Sequence, residues 1–467
     1  MPAWLSNVGA DVRHRALTAR LLGAALLLAA CGGGGEDDGT GGEARGDTTC
    51  DGRIEGTEHL TMWFHAGPSG ELSTLRKQVA EFNRAQSQVR VELVTLPEHR
   101  PYTDLVNSAA ASGDLPDLLD IDGPHLYNYA WSGKLKPIDS CVPDSVRRDL
   151  LASIRQQGTY AGKLYGIGTF DSGLGLYVRP SVLEKAGIRI PRGVDDAWTS
   201  DEFTDVLRTL REAGHRTPVD IGLVHAQPGE EWNTYGFAPA VWSAGGDLIE
   251  PRTFRTADGF LNSPESVKAL TTLQTWVEEG LVEPGRTDDQ AFIESRSVIS
   301  WAGHWWYPDY SRAHPGDVAI VPLPDFGRGT VTGMGSWQWG VTSGAADGDA
   351  VWRFLAYLLR PDQVHRMSEA NGGIPATHSA VKLSSAYGTD GTDGTDGAER
   401  LFIEQLTGGV ARPRPRTPAY PAITDAFSRA FAEIMFDEAP ARATLDGAVR
   451  AIDKDLADHQ YYPPTGR

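Results

Sequence analysis

Cysteine and basic side chains are the scarce components of this 467-residue chain, and each scarcity restricts what it can do. Only Cys31, Cys50 and Cys141 occur, and no cysteine–histidine cluster has the spacing of a metal site. Lysine and arginine number 43 against 62 aspartates and glutamates, a formal net charge of −19. Such a surface repels nucleic acid and anionic lipid, so no nucleic-acid partner is expected. Catalytic signatures are missing as well. There is no nucleophile elbow, no phosphate-cradling glycine loop with its lysine, and no zinc-protease helix motif. Carboxylates abound, but nothing marks two of them as a hydrolytic pair. No catalytic residue, cofactor or metal is expected. Beyond the N-terminal region no run is long and apolar enough to span a bilayer.

What is present at the N-terminus sets the compartment. Arg13, Arg15 and Arg20 precede the apolar run Leu21 to Ala30, and Cys31 follows. A charged start, a short apolar core and small residues before the cleavage point mark residues 1–30 as a secretory signal. Leu28-Ala29-Ala30-Cys31 resembles a bacterial lipobox, in which the cysteine is lipidated and becomes the first mature residue. Residues 31–50, rich in glycine, read as a flexible tether. Acyl chains contribute about 0.8 kcal/mol per buried methylene, enough to anchor a protein without a transmembrane helix. The expected location is the extracellular face of the cell membrane. In that oxidising compartment Cys50 and Cys141 either bridge or remain as two free thiols, and the bridge is the expectation.

The remaining chain alternates strand and helix patterns. Leu60 to Phe64, Val89 to Val94 and Leu118 to Ile121 read as buried strands. Leu72, Leu75, Val79 and Phe82 recur at helical spacing, as do Phe203, Val206, Leu207 and Leu210. Val267, Leu270, Leu273 and Val277 repeat it, then Ile423, Phe427, Phe431 and Ile434, then Leu445, Val449, Ile452 and Leu456. Strands separated by amphipathic helices predict an α/β fold with mostly parallel sheets flanked by helices. The length suits two lobes better than one core. Gly388 to Gly397, a repeated Gly-Thr-Asp, lacks the register of a calcium loop and reads as a disordered surface loop.

A succession of short motifs then carries a resemblance. In order they are Trp63-Phe64-His65, Ala111 to Asp117, Tyr129 to Gly133, Leu135 to Asp139, Gly162 to Ile167, Gly175-Leu176-Tyr177 and Lys185 to Ile188. Trp242 to Gly246, Phe292 to Trp305, Ala356-Tyr357-Leu358 and Gly372 to Ala376 complete the series. Each is weak alone; their joint order over most of the chain resembles the extracellular solute-binding proteins of carbohydrate-uptake ABC transporters, the maltose-binding group. The resemblance implies a periplasmic-binding-protein-like fold, two α/β lobes around a ligand cleft. Mapped here, residues 51–168 and 337–380 form the first lobe, 173–332 and 381–467 the second. The crossings fall near 169–172 and 333–336. It implies a monomer that receives a sugar and delivers it to permease subunits.

A sugar presents C–H faces to aromatic rings and hydroxyls to planar donors and acceptors. His65 ends the first strand, where the family places ligand contacts, and is either a contact or a structural histidine. Asp122 stands at the carboxyl end of the third strand, where α/β clefts bind ligands; the alternative is a helix cap. Asp171 lies in the first crossing and is either a hydroxyl acceptor or a turn residue. Trp232 and Tyr235 fall in a region that supplies aromatic contacts in the family. Trp305, in Gly303-His304-Trp305, matches the motif whose tryptophan stacks on sugar, and the adjacent Trp306 leaves the register open. Trp337 and Trp339 flank Gln338 on a strand, and Trp337, nearer the hinge, is the chosen contact. Arg412 and Arg414 can fork onto a hydroxyl pair, or belong to a solvated proline-rich loop; Arg414 is the chosen contact. The competing readings are a secreted carbohydrate-active hydrolase and a receptor for glycerol phosphate or another polar solute.

Overall fold

A computed structural model describes residues 48–463 apart from 68, 98–99, 346 and 388–398. The signal, Cys31, nearly all of the tether and the Gly-Thr-Asp repeat therefore lie outside the described residues. Among the described residues no helix is long and apolar enough to cross a membrane.

Two sheets organise the chain. The first has the order Val89–Leu96, Glu58–His65, Leu118–Asp122, Trp337–Val341, Gly166–Ile167. Its first three strands run parallel, and Trp337–Val341 runs antiparallel to both of its neighbours. The second has the order Ala319–Val321, Leu174–Val178, Ile299–Gly303, Val219–Asp220. Here only the last pair is parallel. The sheets are thus mixed rather than mostly parallel. The physical reason is the path of the chain. Trp337–Val341 enters the first sheet after a crossing from the second, and so arrives from the opposite end.

The amphipathic helices fall where the periodicity places them. Leu75, Val79 and Phe82 of helix Ser69–Ala85 are buried against the first sheet. Phe203, Val206, Leu207 and Leu210 of Ser200–Glu212 are buried against the second. So are Ile423, Phe427, Phe431 and Ile434 of Tyr420–Phe436, and Leu445, Val449, Ile452 and Leu456 of Ala441–Asp458. Thr199 and Ser263 cap their helices by accepting from backbone N–H groups three residues on. Each sheet thereby gains its own core.

Cys50 and Cys141 form a disulfide, closing a separation of 91 residues. In the chain-entropy account a loop of that size stabilises by about 4.6 kcal/mol. Between the sheets the chain is knitted by a small polar cluster. Strand Phe170–Asp171 pairs with Ile374–Pro375. Asp171 is fully buried and accepts from the backbone N–H of Ser172 (2.8 Å) and Gly335 (3.2 Å) and from the amide of Gln157 (3.3 Å). The same Gln157 accepts from the N–H of Ser336 (3.1 Å). One carboxylate and one amide therefore tie both crossings together. Burial pushes the Asp171 carboxyl up, against those donors.

Candidate functional site

The carboxyl end of the first sheet builds one wall. Cross-strand register sets Trp337 opposite Asp122, two strands from His65. His65 is buried, and its Nδ1 lies 2.5 Å from the carboxylate of Asp120. Its ring stacks on Trp337 with centroids 3.7 Å apart and planes 6° from parallel. Tyr102 meets Trp337 edge-on at 5.6 Å and donates its hydroxyl to the carbonyl of Asp120 (2.5 Å). Burial raises the Asp120 carboxyl, and His65 opposes that. His65 is thus spent on holding Trp337 flat.

The second lobe builds the other wall around a cavity of about 280 Å³. Strand Ile299–Gly303 brings Ser300, Trp301 and Ala302, and the turn that follows brings Trp305 and Trp306. Helix Glu231–Ala244 contributes Trp232 from its first turn. Two glycines seat these indoles. A Cβ on Gly303 would lie 2.0 Å from the Trp305 ring, and one on Gly222 would lie 2.9 Å from Trp232 Nε1. Any side chain there would displace a ring. Trp232 and Trp305 meet edge-to-face at 6.2 Å, and Trp306 stacks on Tyr310 at 5.3 Å. Asp220, Asp289, Asp309 and His225 complete the polar lining.

A second cavity of about 220 Å³ lies between the walls, on the other side of the first turn of helix Glu231–Ala244. Trp337 and Asp122 reach it from the first sheet, Glu231 and Thr424 from the second core, with His125 beside them. Behind it stands Arg414, buried. Its fork donates to both oxygens of Asp122 (2.6 and 2.7 Å) and to Glu231 (2.6 Å). Glu231 also accepts from Thr424 (2.7 Å) and from Tyr420. Burial pushes the Glu231 carboxyl up, but Arg414 and His125 outweigh it and hold the group down at about 2. Asp122, His125 and Glu231 offer ligand atoms within 4.8 Å of one another. The guanidinium already meets both carboxylates, however, and supplies one positive charge between them.

The structure gathers Trp232, Trp305 and Trp306 at the first cavity and Asp122 and Trp337 at the second. His65 backs Trp337. Tyr235 is buried between Trp305 (6.2 Å) and the guanidinium of Arg414 (4.7 Å). Asp171 and Arg414 line neither of these cavities; both fasten chain segments together. Arg412 turns away to Asp247 and the face of Trp242 (5.0 Å), and Trp339 is buried against Phe64 (6.0 Å). Sequence reasoning missed Asp220, His225, Asp289, Asp309, His125 and Glu231. Only Glu231, beside Trp232 in a turn opening a helix, carried a local signal.

Two α/β lobes with aromatic and carboxylate-lined cavities between and beside them are the architecture of the two-lobed solute-binding fold. The chain belongs to the bacterial extracellular solute-binding protein family, whose sequence profile matches residues 77–391. A binding protein of Brucella abortus (strain 2308) is 22% identical over 290 residues, spanning 58% of this chain and 65% of that one. The cyclic α-maltosyl-1,6-maltose binding protein of Arthrobacter globiformis is similar in structure, with a TM-score of 0.68 and 24% identity over 86% of this chain and all of that one. UgpB of Mycobacterium tuberculosis, solved with glycerophosphocholine, has a TM-score of 0.70 and 16% identity over 87% of this chain and all of that one. These likenesses establish the fold.

Proposed function

We propose that this chain is the receptor of an ABC importer that closes on a sugar between its lobes and hands it unchanged to the permease. It acts as a monomer, tethered outside the cell membrane through lipidated Cys31. Residues 51–168 with 337–380 and 173–332 with 381–467 move as the two lobes, about the segments 169–172 and 333–336.

The observation that carries this reading is the pairing of three cleft tryptophans, Trp232, Trp305 and Trp306, with carboxylates around one cavity. Indole faces accept the C–H surface of a pyranose, and carboxylates accept its hydroxyls. We assign ligand contact to these indoles, to Trp337 and to Asp122, with His65 and Tyr235 holding rings in place. Asp171 and Arg414 serve as fasteners. The Arthrobacter protein named for a maltosyl sugar lends support on the same fold. A glycerophosphodiester, as bound by the Mycobacterium protein, is disfavoured because among the described residues no lysine or arginine lines either cavity.

Tryptophan fluorescence titrated with mono-, di- and trisaccharides tests the reading. A saturable change with at least one saccharide, recovered intact afterwards, is the expected outcome. Silence across the panel, or appearance of cleavage products, would overturn it.

A further inference from the structure

The charge of the cleft narrows the class of sugar. Asp220, Asp289 and Asp309 line the first cavity. Asp104, Asp122, Glu231 and Asp425 line the second. Against these carboxylates neither lining contains a lysine or arginine among the described residues.

In the second cavity part of the countercharge is built in behind the wall. Arg414 meets Asp122 and Glu231 at 2.6 Å each, and Arg429 meets Asp425 at 2.9 Å. In the first, Arg312 meets Asp309 at 2.5 Å. Asp289 accepts from the side-chain amide of Gln290 (2.7 Å) and Asp220 from the N–H of Gly222 (3.0 Å), but neither has a cation so close. Arg286 stands 3.9 Å from Asp220 and shares itself with Glu283 (3.5 Å), and His225 stands 3.8 Å from Asp289. Burial already pushes the Asp220 carboxyl up, with Gly222 N–H and Arg286 opposing. The indole N–H groups of Trp232 and Trp301 are committed to the carbonyls of Ile221 (3.2 Å) and Gly236 (3.1 Å) rather than to these carboxylates. This cavity therefore offers π faces and negative oxygens.

Hydroxyls of a neutral ring would donate to Asp220 and Asp289 in place of water but would leave their charge uncompensated. An ammonium group would satisfy both and lie against indole faces, the best aromatic partners for a cation. We propose that the solute is a carbohydrate bearing a protonated amine, seated with its nitrogen between Asp220, Asp289 and the cleft tryptophans. This rests on the sugar-receptor reading of the same cleft.

Calorimetric titration of the full chain with matched sugars tests it. Glucose, galactose and mannose oligomers and monomers are each compared with their 2-amino and N-acetylamino counterparts. The amine keeps the ring and nearly the size of the hydroxyl, and acetylation removes the charge while adding an acetyl group. The expected result is that an amine-bearing member binds about tenfold or more tighter than its hydroxyl and acetamide partners at low salt, with the margin shrinking at high salt. Asp289→Asn should bring the ratio towards one, and Asp220→Asn serves as a second variant if the first does not fold. A neutral member binding as tightly as its amine would overturn this inference and leave the sugar receptor standing. Binding of choline or spermidine with no sugar bound would overturn both, as would no binding at all.

Discussion

At the residue scale the site depends on how rings are seated. Trp305 packs over Gly303 so closely that a methyl group would occupy the ring's own position. Trp305→Ala should therefore weaken sugar affinity about tenfold, the loss of one stacked face and its buried area, read by calorimetry. Gly303→Ala should match it without touching the indole itself, because the ring is expelled. Normal affinity in both would move the site elsewhere. Trp305 was legible from its motif, and Trp232 from its neighbourhood. The carboxylates around them were not. Asp220, Asp289 and Asp309 come from three separate segments that converge only in space, and 62 acidic side chains give no reason to single them out.

Elements show a different balance. Helical faces were plain in the sequence because burial repeats every three to four residues, and the structure buries most of those residues and half-buries Leu72, Val267 and Val277. Strand direction was not plain, since an apolar run reads the same both ways and only the crossing path makes Trp337–Val341 antiparallel. The turn His304–Trp306 joins these levels. His304 is buried, accepts at Nε2 from Ser172 Oγ (3.0 Å) and donates from Nδ1 to the carbonyl of Asn371 (2.8 Å). Burial lowers its pKa to about 4, with the Asn371 carbonyl opposing. A base depressed in the folded state adds stability above its unfolded pKa and loses it as pH falls towards the folded one. Urea melts should thus show stability declining from the ordinary histidine range down to about pH 4, and His304→Asn should flatten that part of the profile. A profile unchanged by the substitution would remove His304 as the cause.

On the scale of the whole molecule, one arginine joins the two halves. Arg414 binds Asp122 from the first sheet and Glu231 from the second core. Arg414→Met would leave two partly buried carboxylates without their cation and should cost about 3 kcal/mol in a urea melt. A loss near zero would show that solvent, not the guanidinium, satisfies them. The two-lobed plan itself was legible through ordered motifs spread along the chain. The roles of Arg414 and Asp171 as fasteners were not, because a loop arginine and a turn aspartate reveal their partners only after folding. Outside the described residues, Cys31→Ser should release the protein from cells into the medium; retention on the membrane would refute the lipid tether.

Backbone hydrogen exchange with and without a bound saccharide tests the central claim most directly. The account predicts slowed exchange in peptides covering 219–235 and 299–309, where the indoles and carboxylates converge. Saturating sugar that leaves both segments exchanging as before, or protects only regions remote from them, would contradict it.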